Sequence, residues 1–214
     1  VNMTMSNMSG SSLYSLKQQS LSMAKDLSAA TKTVTDAVTI YANENESVSS
    51  MLNKAQPTVL LSSASGMSSS SSADAIQGIL NQFNLSEDQA MHVADTVEKL
   101  SSEIALDFSK GCDTISQSIA TSGSVVNEAG MSFEKYAALV STTAEKTRVS
   151  GSQIGNAFKT IFSRISRSKD GLTTDAEMSD AEAALKSVGV SVRGADGDLR
   201  DISDTLDDLN KVWG

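Results

Sequence analysis

From Leu13 onward, apolar residues recur at alternating steps of three and four. The seam positions are Leu13, Leu16, Ser20, Met23, Leu27, Ala30, Val34, Ala37, Tyr41, Glu44, Val48 and Met51, and ten of these twelve are apolar or small like Ala. That spacing predicts one long helix with a single apolar seam, roughly 60 Å from end to end. Such a helix either packs along a bundle or pairs with another chain as a coiled coil. The seam is rich in small residues and lacks strong flanking charge pairs, which favours the bundle. A seam of Ala, Met and Val buries too little to hold a lone helix of this length rigid in water, so self-association through this stretch is expected. Residues 1–11 are mostly Asn, Ser, Met and Gly without a period, and fraying is expected there.

A second strong pattern lies at Gly130 to Lys169. Gly130 suits the position just past a helix end, and Ser132 then caps the next helix, with Glu134 set against the dipole. Phe133, Tyr136, Ala137, Val140 and Ala144 fall on one stripe. The turn Arg148 to Ser152 interrupts it. Ile154, Ala157, Phe158, Ile161, Phe162 and Ile165 form the stripe of the following helix, with Lys159, Arg164 and Arg167 mostly opposite. Four of the chain's nine aromatics sit in this pair, which predicts that it is the core and that Phe158 and Ile161 are buried.

Between and around these patterns the punctuation is local. Pro57 is expected to end or kink the first helix, with Val59-Leu60-Leu61 a short apolar turn. Gly66 to Ser72 reads as a serine-rich link whose last serines can cap a helix from Ala73 to Phe83. Ser86 and Gln89 form a capping box before a helix carrying Ala90, Val93, Ala94, Val97 and Leu100. A helix from about Asp107 to Ala129 carries Phe108, Ile115, Ile119, Val125 and Val126, interrupted by Gly111 and Gly123. Ser168 to Ser179 is polar, with a turn at Asp170-Gly171. A short helix over Asp180 to Ser187 ends near Gly189. Val190-Ser191-Val192 and Leu199 flank a Gly-Asp turn and predict a small β-hairpin. Ser203 is expected to cap a last helix with Leu206, Leu209 and Val212 on one side and Asp204, Asp207 and Asp208 on the other. The expectation is a mainly α fold: a long N-terminal helix over 1–56, a Pro/Ser-rich link over 57–72, and a multi-helix bundle over 73–214 with one hairpin near 190–200.

Composition supports helices. Aromatics are only 4% of 214 residues and hydrophobics 39%, so the core is built from Ala, Leu, Ile, Val and Met. One proline permits long helices. The net charge of −9 repels nucleic acid and anionic membranes. There is no basic stretch followed by an apolar run at the start, and no apolar run long enough to cross a bilayer. The chain starts at Val1 and stops at Trp213-Gly214 inside a helical pattern, which reads as a piece of something longer.

The run GMSFEKYAALVSTTAEKTRVSGSQIGNAFKTIFSRI resembles the core region of phage tail tape measure proteins, in which a Gly-Met/Val-Ser/Asp-Phe-Glu helix precedes a turn and a Gly-x-x-hydrophobic-Gly-x-Ala helix. Two flanking pieces are similar to the same family. One is Tyr41-Ala42-Asn43 through Lys54-Ala55-Gln56-Pro57-Thr58 and Ser65-Gly66-Met67. The other is Leu185 to Val190 followed by Asp196-Gly197-Asp198-Leu199-Arg200. The similarity covers roughly residues 38 to 212. It implies a non-catalytic structural protein that sits in the tail lumen of the virion, sets tail tube length, and assists tail assembly and DNA ejection. It also implies assembly in the bacterial host cytoplasm. The implied partners are the tail tube protein, tail assembly chaperones, tail-tip proteins and further copies of the chain. Membrane contact is implied only during ejection, and sequence-specific nucleic-acid binding is not. Since glycine breaks and a hairpin suit a folded module, the ruler repeats are expected elsewhere in the parent protein.

No chemistry competes with this reading. There is no phosphate loop, no His-Glu-x-x-His and no Gly-x-Ser-x-Gly. His92 is the only histidine, and its plainer reading is structural. Cys112 reads as a buried structural cysteine, with no histidine near it in sequence. Asp196 and Asp198 lack the spacing of a calcium loop and read as turn residues. Lys159, Arg164, Arg167 and Lys169 read as a solvated face. Gly151-x-x-x-Gly155 reads as a tight helix crossing. No catalytic, cofactor or metal residues are expected. A second reading is a bacterial coiled-coil signalling or secretion-partner protein with Ala/Ser/Thr-rich heptads. An enzyme is a third: some members of the resembled family carry a cell-wall hydrolase domain, but none of its motifs is present.

Overall fold

The computed structural model describes residues 8–42, 47–104, 106–166, 180–198 and 200–213. Among them are ten α-helices: α1 (Gly10–Asp26), α2 (Thr31–Ala42), α3 (Val48–Ser65), α4 (Ser69–Gln82), α5 (Ala90–Glu103), α6 (Phe108–Glu128), α7 (Phe133–Thr147), α8 (Gly151–Ser166), α9 (Asp180–Ser187) and α10 (Ile202–Trp213). The mainly α expectation holds. The expected fraying of the N-terminus falls largely outside the described residues, as do the polar stretch with its Asp170-Gly171 turn and the side chains of Arg164, Ile165 and Arg167.

The long N-terminal helix does not form. The seam is cut after Asp26 and again at Ser47, the extended residue that caps α3, and its pieces fold back on one another. The first break is a left-handed cap at a serine: Ser28 has φ +50°, and the Ala29 N–H reaches back to the Ala24 carbonyl at 2.9 Å. A non-glycine residue in this conformation costs about 1–2 kcal/mol. Folding back buries Leu16, Ala24, Val34, Ala37, Tyr41 and Met51 in one cluster. Each large apolar side chain removed from water contributes about 1.5–3 kcal/mol, so burial outweighs the strained serine. Among the described residues the heptad seam is thus broken into helices that pack on one another, and no continuous seam is left for a coiled coil.

Pro57 does not end the helix; it lies inside α3 and is buried. Its missing backbone bond costs about 3 kcal/mol in an isolated helix. Here α3 is covered on most sides, with Met51, Ala55, Val59 and Leu61 all buried, and packing holds the backbone helical. Val59 to Leu61 are helical too. The expected link over 57–72 is therefore the second half of α3, a short joint and the start of α4. Gly66, at φ +71°, closes α3 in the left-handed position, and Ser68 caps α4 by accepting from the Ser71 N–H at 3.0 Å. The serine run is helix rather than link because its first member caps it and Ser72 and Ala73 pack inward.

Two cores result. The first joins α1, α2 and α3 and reaches Ala73. The second runs from Leu61 through Ile76, Ile79 and Phe83 of the α4 region, Val93 and Val97 of α5, Ile115 and Ile119 of α6, to α7 and α8. Helices α3 and α4 contribute to both.

The expected β-hairpin is replaced by a loop; no strand occurs among the described residues. The chain turns back with the Gly194 N–H on the Asp198 carbonyl and the Arg200 N–H on the Val192 carbonyl, both at 2.9 Å. Val190 and Val192 are buried. The glycines and aspartates of the turn use up the residues that paired strands would need, and side chains hold the arms. Arg193 pairs with Glu182 at 3.1 Å and donates to the Gly197 carbonyl at 2.7 Å. The cap of α10 is also corrected. Asp201, not Ser203, supplies it, accepting from the Ser203 N–H at 2.8 Å.

Candidate functional site

The best-defined construction in the molecule is the crossing of α8 over α6. The sequence places Gly151 and Gly155 one helical turn apart on α8, and the structure sets both against the backbone of α6. A Cβ on Gly151 would land on the Thr114 carbonyl. A Cβ on Gly155 would lie 2.8 Å from the Ser118 carbonyl oxygen and 2.7 Å from the Thr121 Cβ. Only hydrogen fits at these two points, so the two helix backbones meet without side chains between them. The tight-crossing reading is what the structure shows. Helix α6 is also closely approached on its other sides, there by side-chain atoms first. Gly111 sits against Ser101 of α5, and Gly123 against Gln82 of α4.

Helix α7 completes the arrangement. Its whole expected stripe, Phe133, Tyr136, Ala137, Val140 and Ala144, is buried. Ser132 caps it by accepting from the Lys135 N–H at 3.4 Å, and Gly130 precedes it at φ +91°. The Tyr136 ring packs edge-on to Phe158 at 5.6 Å and Phe162 at 6.3 Å between centroids. Its hydroxyl lies 3.1 Å from Ser118 Oγ and 2.5 Å from Ser122 Oγ. The Ser122 hydroxyl proton goes to the Ser118 carbonyl at 2.8 Å. Tyr136 must therefore donate to Ser122 and accept from Ser118, giving a directed chain in the core beside the glycine crossing. Burial pushes the Tyr136 hydroxyl above its ordinary pKa despite these two bonds. This network was not foreseen, because serines spaced four apart on a helix look like surface residues until a tyrosine is placed over them.

The stripe of α8 is only partly as expected. Ile154 and Phe162 are buried and Phe158 is half-buried, but Ile161 is 48% exposed and Ala157 is exposed. The glycines decide this: close approach at Gly151 and Gly155 turns α8 toward its glycine side and rotates Ala157 and Ile161 outward.

The remaining candidates are structural in their surroundings. His92 lies on α5 with Nε2 2.8 Å from Glu134 Oε1 of α7, its ring edge-on to Phe133. Burial works against the Glu134 charge, but the hydrogen bonds from His92, its own backbone and Ser132 hold its carboxyl below the ordinary range. Cys112 is fully buried, and burial pushes its thiol up. Asp196 accepts from the Asp198 N–H at 3.1 Å, as a turn residue does. Lys159 is exposed. Sequence reasoning missed Lys54. It is buried on α3, with Nζ 3.0 Å from Gln77 Oε1 and 4.8 Å above the Tyr41 ring. Nothing in its spacing set it apart from a solvated lysine. Among the described residues no group of three His, Cys, Asp or Glu could hold a metal ion, and no helix is long and apolar enough to cross a membrane.

A family model described as phage-related minor tail protein matches residues 17–214. The chain belongs to that family. It is a phage tail tape measure-like protein. The "Probable tape measure protein" of Escherichia phage P2 is 23% identical over 197 residues, which is 92% of this chain and 22% of that protein. This tail chain thus spans about a fifth of the length of the curated relative it matches. No solved structure matches it.

Proposed function

We propose that this chain is the folded module of a tape measure protein. In this reading the parent protein lies in the tail lumen, sets tube length, supports tail assembly and leaves ahead of the DNA, while the ruler lies outside these residues. The observation that carries the reading is the glycine-seated crossing of α8 on α6 inside a packed multi-helix core, in a chain that matches the family along nearly its whole length. Such a core has fixed dimensions and cannot convert residue count into length, whereas an extended helix does so at about 1.5 Å per residue.

The module acts by binding rather than by catalysis. Its partners in this reading are the tube protein, the assembly chaperones, the tail-tip proteins and other copies, met first in the host cytoplasm during assembly. A net charge of −9 suits a protein that shares a tube with DNA without adhering to it. Membrane contact belongs to ejection only. The coiled-coil signalling alternative drew on the Ala/Ser/Thr-rich heptads, and among the described residues these are broken into short helices that pack on one another.

The test is an in-frame deletion series in the parent gene outside these residues. Electron microscopy of the particles is expected to show tubes shortened by about 1.5 Å per residue removed. Tubes of unchanged length would overturn the ruler assignment.

A further inference from the structure

We propose that the groove between α1 and α2 receives α10 of a second copy of this chain, in a head-to-tail contact. The inference uses geometry alone and does not depend on the tape measure reading. The groove encloses about 350 Å³, and Leu13, Leu16, Leu21 and Val38 make it apolar. Among the described residues its one charged lining residue is Lys17. Tyr14 and Leu21 stand seven residues apart on the same side of α1, and both are exposed.

Helix α10 has the complementary form. Leu206 and Leu209 are spaced i and i+3, a spacing with which an amphipathic helix anchors in a groove. Leu206 is 38% and Val212 49% exposed, and Leu209 is half-buried. The polar side carries exposed Asp204 and Asp207. The α1 face offers the opposite sign at Lys17 and Lys25, both exposed. Within its own chain α10 is held next to α7, a helix of the other core, by Lys135 to Asp201 at 3.4 Å. The helix that enters the groove therefore comes from another copy. Groove and helix are different patches, so the contact is heterologous and repeats from copy to copy instead of closing on itself. A patch this small belongs to the weak, concentration-dependent class.

The test is sedimentation of the 214-residue chain from micromolar to millimolar concentration. The average mass is expected to rise above 22.4 kDa with concentration. Leu21→Glu blocks the groove and Leu206→Glu blocks the helix, and each is expected to remain monomeric with unchanged helical circular dichroism. Mixing the two restores one intact groove and one intact helix, so a species of two chains and nothing larger is expected. If either variant loses its helical signal, the exposed charges decide. Lys17→Glu and Asp207→Lys should each weaken association, and the double variant should regain it. A wild-type chain that stays at 22.4 kDa throughout overturns the proposal. So do folded blocking variants that associate like wild type, a mixture that remains monomeric, or a charge swap without recovery.

Discussion

Gly155 of α8 lies so close to Ser118 of α6 that a methyl group on it would sit 2.8 Å from the Ser118 carbonyl oxygen. At that distance the obstacle is backbone, which cannot turn aside as a side chain does. The cheapness of glycine-to-alanine changes in helices, a gain of up to about 1 kcal/mol, is therefore reversed here.

Gly151→Ala and Gly155→Ala are each expected to destabilise the fold by about 1–3 kcal/mol or more, with Gly151 the worse because its methyl meets the Thr114 carbonyl directly. Gly78→Ala in α4, where nothing lies within 4 Å, is expected to stabilise by up to about 1 kcal/mol. Urea melts of the three variants check the order. Equal effects at all three positions would show that α8 is not seated by its glycines.

Tyr136→Phe removes the donor that Ser122 accepts and the acceptor that Ser118 uses, without changing the ring. The expected loss is about 1–3 kcal/mol, since it leaves buried hydroxyls short of a partner. Thermal melts of Tyr136→Phe beside wild type measure it, and coincident curves would mean that the chain of hydroxyls is not formed.

Truncations along α8 should follow its observed rotation. Phe162→Ala is expected to cost about 3–5 kcal/mol, half-buried Phe158→Ala less, and Ile161→Ala least because its side chain is 48% exposed. A larger loss at Ile161 than at Phe162 would restore the stripe read from periodicity alone.

That contrast shows where the sequence was legible. The α7 stripe, the caps at Ser132 and Gly130, and the α9 bounds were readable because each is set by residues within one or two turns. The glycine pair was readable as a close approach, but not what it approached. The break at Ser28, the helix running on past Pro57 and the exposure of Ile161 were not legible for one reason: tertiary packing reversed a local preference. Burial of the seam outweighs a left-handed serine, cover on most sides holds a proline inside α3, and the Gly151 and Gly155 approach turns Ile161 outward. Lys54 and the Ser118–Tyr136–Ser122 chain lie further still from local signals, since each joins different helices.

Two carboxylates give opposite pH responses. Burial, and then the Asp95 charge one turn earlier, push the Glu98 carboxyl above its ordinary 4.5. The folded state then binds this proton more tightly than the unfolded state, so stability falls as pH rises from 4.5 through the raised value and stays lower beyond it. Glu98→Gln is expected to stabilise at about pH 7, with the gain shrinking toward about pH 4. Glu134 is held below its ordinary value, so its contribution is present at neutral pH and lost as pH falls through its folded pKa. Glu134→Gln is expected to destabilise at neutral pH and converge with wild type in acid. Melts across this range decide both, and parallel curves for either variant would reject its assignment.

The central claim, that these residues form a folded module and not part of the ruler, is tested most directly by the particles themselves. The measurement is electron microscopy of particles whose parent gene lacks residues 130–169, the segment that holds α7 and α8. Removing these helices exposes Ile115, Ile119 and the α4 and α5 side chains packed with them, so the module is expected to collapse and few or no tails to form. Normal numbers of tails, each shorter by roughly 60 Å at the helical rise, would contradict the account and make this stretch ruler.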